Sequence, residues 1–353
     1  MFAWVLVAAL ALPAPALAAP EAAQQAQVMA LPSALQAQLH REVLVGHPSQ
    51  TLRLQRLIPF ALDPQGLGVT YEESATYSVE QVYATRKANC LAFTLLFLAL
   101  AREAGLEAYP QELGETLSWH ESGGTIFRDN HINAGIRIGG HRYTVDVAGD
   151  SVFGLQPPAQ VSDQRMLAHY YNNLAVTRLE HGDIADAQQY MTTALALDPG
   201  YAPHWSNAGV LALHGGDPVA AERAYLKALA LDSKNASALF NMVDLAHRSG
   251  DRRREADFRQ RLARVQQNDP LQHFVQALDF ERLGDYRHAI EHYRRAIQLH
   301  HGEHRFYSAL ARTYLLAGDN RRARRALARA ESLSEGATRA AYRAQRDGLQ
   351  AAN

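Results

Sequence analysis

Gly182-Asp183-Ile184-Ala185-Asp186-Ala187-Gln188-Gln189-Tyr190-Met191-Thr192-Thr193-Ala194-Leu195-Ala196-Leu197-Asp198-Pro199 returns in altered form four more times downstream. Its Gly-Asp start recurs at Gly216-Asp217, Gly250-Asp251, Gly284-Asp285 and Gly318-Asp319, every interval being 34 residues. Five such pairs in register do not arise by chance. Five residues after each Gly stands Ala187, Ala221, Ala289 or Ala323, with Glu255 the exception. Twelve after it come Ala194, Ala228, Ala296 and Ala330, with Leu262 the exception. Seven before it come Ala175, Gly209, Ala277 and Ala311, with Val243 out of pattern. Small residues let two helices of a hairpin approach closely. Gly supplies a left-handed helix end, and Asp caps the helix that follows. Each unit then keeps an apolar face that only its neighbour covers, so the units stack.

This period and these small-residue positions resemble the tetratricopeptide repeat. Trp205, Tyr225, Tyr293 and Tyr314 fill aromatic positions of the pattern, and Pro199 closes the first unit. Five repeats are predicted within residues 161–335, with 336–353 as a polar capping helix. The repeat around Gly250 is degenerate, with Arg252-Arg253-Arg254 in its turn. Such solenoids carry no chemistry of their own. The expected partner is a protein or peptide held in the groove of the array.

The chain has 353 residues, 47% hydrophobic and 20% charged, which excludes a disordered chain or a disulfide-stapled miniprotein. Its net charge is −1, so no global field argues for nucleic acid, and no nucleic-acid partner is expected. Residues 251–353 carry 20 basic and 13 acidic side chains, leaving an acidic balance of −8 on residues 1–250. The basic end suits either a solvated face or an acidic partner. Cys90 is the single cysteine, which excludes an intramolecular disulfide and a cysteine-based zinc site. His300-His301-x-x-His304 and His292 lack a carboxylate pattern to complete a metal site. No cofactor and no metal are expected.

Phe2 to Leu12 is apolar and Ala16-Leu17-Ala18 offers small residues at a cleavage site. The run is too short to span a bilayer and reads as a secretory signal over residues 1–18, without Lys or Arg before it, a misassigned start codon or a retained anchor being the alternatives. The expected location is therefore periplasmic or secreted, with no transmembrane segment after cleavage. Residues 19–66 read as a helical segment, with two short amphipathic helices broken at Gly46-His47-Pro48.

The middle of the chain is where chemistry is expected. Ser78 to Ala88 reads as a helix N-capped by Ser78. Cys90 opens a second, apolar nearly all round, that stops at Gly105. A thiol at a helix N-terminus is favoured as thiolate, although Cys is also among the most buried residues. Gly139-Gly140 reads as a two-residue hairpin loop. Ile138 then faces His141, and paired positions sum to 279. One face carries Ile132, Ala134, Ile136, Tyr143 and Val145, the other His131, Asn133, Arg137, Thr144 and Asp146. Asp146 then lies opposite Asn133 and diagonal to His131. Nucleophile, base and orienting acid follow in chain order. Glu72-Glu73 reads as solvated surface.

Arg86-Lys87-Ala88-Asn89-Cys90-Leu91-Ala92-Phe93, Ala101 to Leu106, Asn130 to Asn133 and Tyr143 to Asp146 resemble the transglutaminase-like, papain-related superfamily. The resemblance covers residues 67–155. Many members carry Gly just before the Cys, where Ala88-Asn89 stands here; Asn is able to cap the helix. The resemblance implies an α+β transglutaminase-like domain over residues 67–160, followed by the all-α repeat solenoid. It makes Cys90 the nucleophile, His131 the base and Asp146 the orienting acid, with Trp119 a candidate to line the cleft. The implied activity is acyl transfer by thioester, as amide hydrolysis or transamidation on a peptide or protein. The alternative is a catalytically silent adaptor that acts through its repeats.

Overall fold

A computed structural model describes residues 26–113, 119–122, 125–128, 131–146 and 158–351. The chain divides into two compact units. Unit 1 holds Met1–Pro110, Ile132–Ala148 and Val161–Tyr170, and unit 2 holds Gln111–His131, Gly149–Gln160 and Tyr171–Asn353.

Unit 1 is organised round one helix. The two amphipathic helices expected before it form as α1 (Ser33–Glu42) and α2 (Gln50–Leu62), separated by Gly46 and His47 at positive φ. The third, α3 (Val79–Thr85), starts on a capping box in which Ser78 and Gln81 satisfy each other's backbone N–H. It ends earlier than expected. Arg86 turns left-handed at φ 61°, and Lys87–Ala88 (β2) instead pair in parallel with Thr70–Tyr71 (β1). The central helix α4 (Cys90–Glu103) buries every side chain from Leu91 to Ala101. Helices α1, α2 and α3 pack against it. Leu35, Leu39, Leu57, Val79 and Val82, all almost fully buried, cover its flanks. Arg53 closes its far end, donating to Ala104 O at 2.8 Å and to Pro48 O at 2.8 Å.

The strands are β3 (Glu107–Leu113), β4 (Trp119–Ser122), β5 (Thr125–Arg128), β6 (His131–Ile138), β7 (His141–Val145) and β8 (Ala159–Gln160). They form one four-stranded sheet of order β7-β6-β3-β8, and β4 pairs only with β5. The β6–β7 hairpin has the register read from Gly139-Gly140, with Ile138 opposite His141 and Ala134 opposite Val145.

The expectation of an α+β papain-like domain ahead of the repeats is overturned. An α+β papain-like domain builds its core on one substantial sheet, and the strands here are too few and too short for that, β8 having two residues. Here helices dominate the described residues, the sheets have two, four and two strands, and helices enclose most of α4. Among the described residues no separate papain-like domain stands apart.

The rest of the chain is helical hairpins. They pair α5 (Asp163–Glu180) with α6 (Ile184–Leu197), α7 (Ala202–His214) with α8 (Pro218–Leu231), and α9 (Ala236–Arg248) with α10 (Arg252–Gln266). Then come α11 (Pro270–Arg282) with α12 (Tyr286–Leu299), α13 (His304–Leu316) with α14 (Asn320–Leu333), and a last helix, α15 (Gly336–Ala351). Gly182, Gly216, Gly250, Gly284 and Gly318 all sit at φ between 73° and 82°, where a side chain is strained. The Asp after each sends its N–H back five residues, as Asp217 to Ala212 O at 2.9 Å and Asp319 to Tyr314 O at 2.8 Å. That bond completes a Schellman end. Asp217, Asp251, Asp285 and Asp319 then cap the next helix with their side chains. Asp183 departs from the pattern: its carboxylate faces Arg178 at 3.4 Å and makes no cap. The small residues at the hairpin contacts are buried, and Gly209 faces the buried ring of Tyr225. In the degenerate unit Leu262 stands where the other units have Ala, and it is buried with Phe258 in one cluster with Tyr225 and Met242.

Candidate functional site

Cys90 is the first residue of α4, and its side chain is half-buried where its successors are fully enclosed. Asn89 caps the helix: its Oδ1 accepts from Ala92 N at 2.9 Å and its Nδ2 donates to Thr76 Oγ1 at 2.8 Å. One turn on, Thr94 Oγ1 donates to Cys90 O at 2.8 Å and to Ile132 O at 3.1 Å, tying the helix start to β6. Asp146 follows β7 and accepts from Asn133 Nδ2 at 3.4 Å, the cross-strand contact that the register demands. His131 is buried at the start of β6 and belongs to unit 2, whereas Cys90 and Asp146 belong to unit 1. On the polar face of the hairpin His131 and Asn133 are buried, whereas Thr144 is exposed. The Trp119 side chain lies outside the described residues. Glu72 is at the surface in an ion pair with Lys87 at 2.6 Å, which holds its carboxyl below the ordinary range.

The histidines noted in the sequence have other partners. His304 Nδ1 meets the Tyr342 hydroxyl at 2.9 Å, and His292 Nδ1 meets His273 Nδ1 at 3.1 Å. Among the described residues no three ligating side chains gather. No described helix is long and apolar enough to cross a membrane.

The second candidate surface lies along the first helices of the repeats. Asn173, Asn207 and Asn241 occupy one position of three successive units, 34 residues apart, and none is fully buried. Asn207 Nδ2 donates to Asn172 Oδ1 at 2.9 Å and Asn172 Nδ2 to Asn173 Oδ1 at 3.3 Å, joining α5 to α7 by amides. Helix α7 packs directly on α9. Beside Asn241 stands Phe240, with 62% of its surface exposed, among the largest exposures of any described apolar side chain. A row of amides donates and accepts for an extended backbone, and an exposed ring anchors one side chain. The same 34-residue interval that spaces the glycines and alanines marks this row in the sequence.

A tetratricopeptide repeat family model matches residues 172–251 and 274–338. The chain carries tetratricopeptide repeats. Among solved structures, the tetratricopeptide array is similar to MamA, 20% identical over 47% of this chain and 91% of that one, TM-score 0.27. It is similar also to pilF of Pseudomonas aeruginosa, 19% identical over 53% and 93%, TM-score 0.28. A third is YrrB, described as a TPR protein with an unusual peptide-binding site, 17% identical over 50% and 92%, TM-score 0.27. No curated protein matches the chain. The family match falls on the repeats and leaves the region round Cys90 uncovered.

Proposed function

We propose that this protein is a binding scaffold whose tetratricopeptide repeats hold an extended segment of another protein along their first helices. The observation that carries the reading is the row Asn173, Asn207 and Asn241 with the exposed ring of Phe240 beside it. Amides at a repeat spacing meet backbone groups of any sequence, and the ring adds selectivity for an apolar side chain. Selection of a displayed peptide library on the full chain tests this. Selected peptides are expected to lose at least tenfold in affinity on Phe240→Ala and on Asn207→Ala, while circular dichroism is unchanged. Peptides indifferent to both substitutions contradict it. The apolar run before Ala18 supports export, so the partner is sought outside the cytoplasm.

A second reading rests on Cys90. Its side chain is partly open at the first position of a helix that Asn89 caps. Chemistry there would use the thiol as a nucleophile that attacks an amide or ester carbonyl, forms a thioester with loss of the amine or alcohol, and is released when water hydrolyses the thioester. Alkylation by iodoacetamide from pH 4 to 10, on wild type and His131→Ala, tests it. Alkylation that is fast in the wild type at neutral pH and slows severalfold on loss of His131 supports the reading. A thiol indifferent to His131 removes it and leaves the scaffold alone.

A further inference from the structure

The last hairpin of the array carries a concentration of arginine that its own acids do not balance. Four of the first six residues of α14 are Arg321, Arg322, Arg324 and Arg325. This is the positive end of the helix dipole, where anions and not cations are favoured. Arg321 and Arg325 are one turn apart, a like-charge spacing that opposes the helix. The acids nearby are occupied. Asp319 caps the helix and pairs with Arg322 at 3.3 Å. Glu331 is shared by Arg343 at 2.8 Å and Arg346 at 2.5 Å, and Asp347 pairs with Arg346 at 2.8 Å. Among the described residues Arg321, Arg324 and Arg325 have no acidic partner. Arg324 Nε is shut off from solvent with no acceptor at all. Arg321, Arg324, Arg325, Ala328 and Arg346 line a cleft of about 370 Å³ on α14 and α15.

We infer that this cleft binds a short acidic segment of a partner protein, separately from the Asn row. From residue 321 to 328 a helix rises about 10 Å, the length of about three residues of extended chain. The guanidinium groups of Arg321, Arg324 and Arg325 lie along that stretch and match successive carboxylates of a peptide, each held by a forked pair of N–H donors, while Arg346, already held by Glu331 and Asp347, lines the cleft beside them. A single inorganic phosphate reaches only part of the set. The proposal does not depend on the scaffold reading of the first helices, and each can fail alone.

The test is fluorescence anisotropy of the full chain with a labelled peptide of four consecutive glutamates, against its glutamine counterpart. The glutamate peptide is expected to bind at low salt and to weaken as salt is raised, with the glutamine peptide at least tenfold weaker. Arg321→Gln with Arg325→Gln is expected to weaken binding about tenfold or more. The control pair Arg294→Gln with Arg295→Gln removes the same charge from exposed positions on α12 and is expected to change it less than twofold. If the first pair loses helix content, Arg321→Lys with Arg325→Lys decides instead, since it keeps charge and loses the fork; a severalfold weakening is expected. Equal weakening by both glutamine pairs overturns the site in favour of general charge. No binding at low salt overturns it, as does displacement of the peptide by inorganic phosphate at equal concentration.

Discussion

The helix Cys90–Glu103 and the repeat helices solve the same burial problem in opposite ways. The first is apolar on every side, buries Leu91 to Ala101 without interruption, and needs different partners on each flank. A repeat helix such as Pro218–Leu231 buries Ala221, Ala224, Tyr225, Ala228 and Leu229 and leaves its other residues partly or fully exposed. One interface is found once and cannot be read from its neighbours. The other recurs at a fixed interval and leaves part of each helix at the surface.

The largest effect is expected inside the first solution. Phe97 is fully buried and stacks on Phe93 with ring centres 5.9 Å apart. Phe97→Ala is expected to cost about 3–5 kcal/mol in urea unfolding, while Phe240→Ala, at an exposed repeat position, costs less than about 0.5 kcal/mol. Similar losses from both would break the comparison.

Next comes pH. Burial, helped by the charge of Arg165, pushes His169 down to about 3 from an ordinary 6.5, so the folded protein holds it neutral. The unfolded chain takes up a proton as pH falls through about 6.5 and the folded protein does not. Stability is therefore lost below that pH, by about 1.4 kcal/mol per unit and about 2 kcal/mol by pH 5. His169→Gln is expected to flatten this slope in a urea titration from pH 7 to pH 5. The buried part of His292 in the fourth hairpin, lowered by desolvation and by His273, acts in the same direction.

Gly209→Ala sharpens the contrast within the array. Ala occupies the matching place at Ala175, Ala277 and Ala311, yet here an added methyl would lie 2.3 Å from Tyr225 Cε1. Because Tyr225 is buried, overpacking of about 1–3 kcal/mol is expected in thermal unfolding. Adding Tyr225→Leu is expected to recover part of it. The smallest effect is at the caps. Asp217→Ala is expected to cost about 1 kcal/mol, and Asp183→Ala less than half of that, because Asp183 makes no cap bond. Equal costs would show that the carboxylates act through charge and not as caps.

What the sequence disclosed follows the same division. The five Gly-Asp pairs give the hairpins, their left-handed ends and four of five caps, because each signal is local and repeated. Gly139-Gly140 gives the whole β6–β7 register, since a two-residue loop leaves no freedom of pairing. The fold class of the first part was misread. A short likeness round Cys90 and one hairpin says nothing about how much sheet surrounds them. Helix α3 was read three residues too long because Lys87–Ala88 pair with Thr70–Tyr71, a parallel contact that no local pattern announces. The arginines of α14 look like a solvated face until Arg346 of the following helix closes the cleft beside them.

The scaffold role rests on an extended peptide held along the first helices of the repeats. Hydrogen exchange of the full chain with and without a library-selected peptide measures it most directly. Added protection is expected on Asp163–Glu180, Ala202–His214 and Ala236–Arg248, abolished together with binding by Phe240→Ala. Protection confined to Cys90–Glu103 and its surroundings, with these three helices unchanged, would contradict it.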